Sequence, residues 1–151
     1  MDKKKEILRE NLEALNKSSG WLSYSYSMCK KIGIKSEFSA QELTEFESLT
    51  SRFARTVDLF INKGIRSLYI FELEDVGTII DLLNMTEKRG IIESAETWKI
   101  IRELRNSIAH DYGIGDFAND IFKPSLEYAP VIDKSVAALN SYCEKYLGSM
   151  E

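Results

Sequence analysis

Apolar residues recur at spacings of three and four almost throughout this chain, and only two prolines, Pro124 and Pro130, interrupt the pattern. A helix turns about 100° per residue, so that spacing gathers apolar side chains into one stripe, whereas strands need alternation, of which there are few runs. The chain therefore reads as all-α. At 151 residues it fits one domain, 1–151, long enough to bury a core without disulfides or a structural metal.

The periodicity predicts a first helix from about Lys4 to Ile32. It carries Ile7, Leu8, Leu12 and Leu15 on one stripe, and Trp21, Leu22, Tyr24, Met28 and Cys29 beyond Gly20. Residues 33–39 suit a loop, and Ser39 with Glu42 forms a capping box for a second helix. Phe46, Leu49, Phe53, Val57 and Phe60 continue its stripe, which extends past Gly64 through Leu68 to Phe71. A third helix is expected over Asp75 to Lys88, closed by Gly90 as a left-handed cap, and Ser94 with Glu96 opens a fourth. The last helical region runs from about Asp116 to Leu147, with Pro124 and Pro130 marking a break or kink. The expected architecture is an antiparallel up-and-down bundle of four long helices with short extra pieces.

Composition excludes several classes of function. Cys29 and Cys143 lie far apart with no CxxC pair, and the chain holds a single histidine, so no zinc site forms and no metal or cofactor is expected. The cysteines read as reduced core thiols. The N-terminal stretch is polar and amphipathic, neither a signal peptide nor a membrane span, which implies a cytoplasmic protein with no membrane partner. With 20 Lys+Arg against 24 Asp+Glu the net charge is −4, which argues against coating of nucleic acid by bulk charge but permits a local basic cleft. No phosphate-binding glycine loop, carboxylate pair or Ser/Cys nucleophile with a base emerges.

The segment from Arg105 to Tyr112 holds that single histidine, His110, between an arginine, a carboxylate and a phenol. On the fourth helix Ile101, Leu104 and Ile108 form the buried stripe, while Arg102, Asn106 and His110 fall in a row of fours on another face. Arg105 precedes His110 by five residues, so their directions diverge by roughly 140°. The two meet only if the arginine curls round or if a second copy of the helix supplies its own set across a two-fold axis. A plainer alternative pairs Arg105 with an acid such as Glu103 or Asp111 and leaves His110 as a polar residue stabilised by the helix end. Against it, the small Ile108-Ala109 pair allows close approach of another helix, and Gly113-Ile114-Gly115 follows at once, an open backbone beside His110 and Tyr112.

Arg105-x4-His110-x-Tyr112, with Asn106 after the arginine and on the penultimate long helix of a small helical chain, resembles the signature of HEPN-domain toxins of the HepT type. The resemblance covers the whole chain in length and helical order, but only the eight-residue motif is sharp. It implies a toxin ribonuclease that cleaves RNA without metal at a composite site across a homodimer, encoded beside a minimal nucleotidyltransferase antitoxin of the MntA type. Imidazole titrates near neutrality, so His110 can take a proton from a ribose 2′-hydroxyl or give one to a leaving oxygen. Arg105 suits a phosphate whose charge grows in the transition state, and Asn106 would orient His110 or donate to substrate. With one histidine per chain, separate acid and base roles require the partner subunit. The family further implies that the antitoxin transfers AMP to Tyr112, silencing the toxin by placing a bulky anion where the RNA phosphate would sit. Packing at the helix end is the structural alternative for Tyr112. Arg102 and Asp111 are candidates for orienting or RNA-binding roles, solvation being the alternative for Asp111.

Arg52, Arg55, Lys63 and Arg66 give the second helix a basic character, with Lys88-Arg89 adding more; these could line an RNA path, contact the antitoxin, or form a solvated face. Trp21, Tyr24 and Tyr26 could stack bases or belong to the core or a dimer interface, and no site is assigned to them. A rival function is a non-catalytic helical module that binds a nucleotidyltransferase or its nucleotide substrate.

Overall fold

The computed structural model describes residues 2–110 and 116–149. Among them every regular element is helical. The long helices are α1 (Lys3–Ile32), α2 (Ala40–Leu59), α5 (Ala95–His110) and α6 (Lys123–Leu147), with short α3 (Arg66–Phe71) and α4 (Ile79–Lys88) between the second and third of them. Two π-helical turns, Phe60–Ile65 and Ala118–Phe122, precede α3 and α6.

Local sequence explains most boundaries. Asp2 caps α1 by accepting from the Lys4 amide at 2.9 Å. At the start of α2 the expected capping box is complete, Ser39 and Glu42 each satisfying the other's amide. The apolar run past Gly64 does continue as helix, but through the π-helical turn, which shifts the buried face. Gly64 packs where a side chain would press on Leu139 and Leu15, a Cβ there lying 3.0 and 3.2 Å from their methyl carbons. The next helix begins later than the periodicity predicts, at Ile79 and not Asp75. Thr78 and Asp81 form a second capping box that fixes this start, and a turn with Leu73 at φ 62 stands before it. Gly90, at φ 75, ends α4 as expected, with the Ile91 amide reaching back to the Thr86 carbonyl at 3.1 Å.

The prolines do not break α6. Pro124 lies in its first turn, where no amide hydrogen is needed, and Pro130 sits within the helix on the exposed side.

Helix directions follow from the polar contacts along the seams. Ser18 and Ser25 of α1 meet Thr56 and Arg52 of α2, both at 2.7 Å, so one chain number rises as the other falls and the helices run antiparallel. Asn16 and Ser19 of α1 bond Asn140 and Asp133 of α6, with Ser23 also donating to Asp133, and show the same reversal. The core between the helices is aliphatic and aromatic. Trp98 of α5 is fully buried, stacks on Phe60 at 4.4 Å and donates its indole N–H to Ser135 of α6 at 3.0 Å, so a large apolar side chain is buried without orphaning its polar atom. No described helix is long and apolar enough to cross a membrane.

Candidate functional site

Helix α5 buries Ala95, Trp98, Ile101, Leu104 and Ile108, the stripe expected from the sequence, and this fixes where the motif residues stand. Arg102, Asn106 and His110 are exposed, while Arg105 is half-buried at the seam with α2. There its Nε and Nη2 donate to the two carboxylate oxygens of Asp58, each at 2.8 Å. This side-on pair holds the guanidinium above its ordinary pKa, chiefly through the hydrogen bonds from Arg105 to Asp58. A guanidinium has five N–H donors. Two are taken by Asp58, so three remain on the Nη1 and Nη2 end, which faces away from the carboxylate.

Among the described residues Asp58 is therefore the arginine's acid, in place of Glu103, which is exposed. Sequence reasoning passed over it, although Asp58 is the one carboxylate between Glu47 and Glu72 in a basic stretch. Together with Asn62 these groups line an open cleft of about 180 Å³ between α2 and α5 that also takes in Arg102 and Asn106. Three of the predicted residues, Arg102, Arg105 and Asn106, thus share one cavity.

His110 does not line that cleft. It is the last residue of α5, one turn beyond Asn106, and among the described residues it has no hydrogen-bond or ion-pair partner. The positions predicted for Asp111 and Tyr112 lie outside the described residues. Ser107 and Ile108, on the other flank of the motif, border a larger cavity of about 430 Å³ whose walls include Phe38, Leu43 and Phe122.

Other candidates resolve differently. Arg89 is drawn into the end of the bundle, where Glu72 accepts from it and from Tyr146, so it is not available for an RNA path. Burial pushes the thiols of Cys29 and Cys143 up to about 12, which leaves them protonated and unreactive near neutrality, as the sequence implied. Among the described residues no three His, Cys, Asp or Glu side chains gather closely enough to share a metal ion.

In comparisons with known proteins, no family model matches the chain and no curated protein is significantly similar to it. The fold and the site thus define the protein as an all-α helical bundle with an arginine-centred polar cleft between α2 and α5.

Proposed function

We propose that this protein is a ribonuclease toxin of the HEPN type, acting as a homodimer whose composite site draws Arg105, Asn106 and His110 from both copies, so that two histidines face one phosphate. The observation that carries the reading is the side-on hold of Asp58 on Arg105, which leaves three N–H donors of a fixed guanidinium free at a cleft that Asn106 and Arg102 also line. A cation fixed in that way needs little reorganisation to meet a phosphate. His110 removes the ribose 2′-hydroxyl proton, the oxygen attacks phosphorus, the bond to the 5′-oxygen breaks, and the imidazolium of the second copy returns a proton to that oxygen. The products are a 2′,3′-cyclic phosphate and a 5′-hydroxyl. Arg105 bears the charge that grows on the phosphoryl oxygens, Arg102 adds to the field, and no step requires a metal. A minimal nucleotidyltransferase antitoxin would silence the site by adding AMP to Tyr112.

Purified protein should cleave RNA in the presence of EDTA, and Arg105→Ala and His110→Ala should each lower cleavage about 10²-fold or more. Cleavage kept by both variants sinks the assignment. Mass spectrometry after co-expression with a cognate nucleotidyltransferase should find AMP on Tyr112 and nowhere else. A second reading, a non-catalytic module that holds a nucleotidyltransferase or its nucleotide, draws support from the same ion pair, because Asp58 already neutralises Arg105. It predicts no RNA cleavage by the wild type.

A further inference from the structure

On the other side of α2, facing α1, lies a second open groove of about 670 Å³ bordered by Lys17, Trp21, Arg52, Arg55 and Leu59, with no carboxylate in its lining. We propose that this groove binds single-stranded nucleic acid, one base stacking on Trp21 and the flanking phosphates meeting Arg55 and Lys17.

Trp21 is 55 % exposed, an unusual position for so large an apolar ring, and it is held there. The Arg52 guanidinium lies over one face at 4.9 Å and is itself tied to Ser25 by a 2.7 Å hydrogen bond. Tyr24 packs with the indole in a T-shaped pair, with centroids 6.1 Å apart and planes at 83°. At 55 % exposure much of the ring stays open to a ligand, beside cations that carry no carboxylate partner: none of the ion pairs among the described residues involves Lys17, Arg52 or Arg55. A π-face flanked by unpaired cations is the pattern that takes a base and its phosphates. A second copy fits poorly. Across a two-fold axis the patch would meet itself and set the same cations against one another.

As a substrate path the groove rests on the ribonuclease reading, and α2 links the two places. Arg55 borders the groove and Asp58 the Arg105 cleft, three residues or about 4.5 Å of helix axis apart. A strand crossing α2 reaches both.

The protein's two tryptophans make the test specific, because Trp98 is fully buried and only Trp21 can be quenched by contact with a base. The probe is a 2′-O-methyl oligouridylate of about twelve nucleotides, long enough to cross several stacking and phosphate contacts; it cannot be cleaved, so binding is read apart from chemistry. Saturable quenching is expected, with affinity falling as salt rises. Trp21→Ala should weaken binding, followed by anisotropy of an end-labelled probe, about tenfold or more. Arg55→Ala should lower the salt slope by about one unit. Absence of quenching, or wild-type affinity in Trp21→Ala, overturns the proposal. So does a change in sedimentation mass in Trp21→Ala with oligonucleotide binding intact, which would make the patch a protein interface. Quenching by the oligonucleotide in a protein that never cleaves RNA would keep this site and remove the ribonuclease reading. Cleavage unaffected by Trp21→Ala, with no quenching, would do the reverse.

Discussion

Replacing the two members of the Arg105–Asp58 pair, singly and together, separates a structural ion pair from a positioned phosphate ligand. The side chains are 29 % and 41 % exposed, so solvent screens the pair, and exposed pairs contribute about 0–1 kcal/mol to stability. The two-point geometry puts it near the top of that range, and a domain of this size loses about 2–4 °C of Tm per kcal/mol. Arg105→Ala should therefore lower Tm by no more than about 4 °C. Its effect on RNA cleavage should be far larger, about 10²- to 10³-fold in kcat, the cost typical of removing one donor from developing transition-state charge. Asp58→Ala leaves the arginine present but unheld, and should cost about tenfold, or about 1.4 kcal/mol of barrier. Because Asp58 acts through Arg105, the double variant should be no slower than Arg105→Ala alone. Thermal melts by circular dichroism and single-turnover cleavage of a labelled RNA measure both quantities. Additive kinetic losses would refute the positioning role. A Tm drop of about 10 °C in Arg105→Ala, with cleavage falling only in step with unfolding, would show instead that the pair belongs to the scaffold.

Two further outcomes test the fold itself. Gly64→Val should destabilise the protein by about 1–3 kcal/mol in urea titration, since its side chain must displace Leu15 and Leu139; an unchanged midpoint would mean that the core there is loosely packed. Tyr146, donating to Glu72, has its pKa raised from 10.0 to about 12, so the folded state holds its proton more tightly than the unfolded one; stability should fall as pH rises from about 10 to about 12, and Tyr146→Phe should flatten that fall in melts across the range.

The sequence disclosed most of the fold where the determinants are local. The stripe of α5, the capping box at Ser39 and the left-handed Gly90 each depend on residues within a few positions of one another, and all three appear as read. The start of α4 is local too, yet periodicity misplaces it. The box of Thr78 and Asp81 follows the same rule as that of Ser39 and Glu42, but Val76 also fits the apolar stripe and draws the expected helix back to Asp75. Pro130 marks no break for a different reason: α6 buries Ala129, Ile132, Val136 and Leu139 around it, and that packing carries the helix through one missing amide. Asp58 was illegible because it stands 47 residues from Arg105, and no periodicity within α5 points to a partner on α2.

That long-range contact also sharpens the geometry of the proposed site. Helical rotation alone sets Arg105 and His110 about 140° apart, leaving two ways to unite them, a curled arginine or a second copy. With Nε and Nη2 both engaged by Asp58, the guanidinium is held against α2, while His110 stands exposed as the last residue of α5. Curling would require both hydrogen bonds to break. Under the proposed ribonuclease reading, the hold of Asp58 on Arg105 favours the two-copy arrangement, and a variant that stays monomeric should then bind RNA without cutting it.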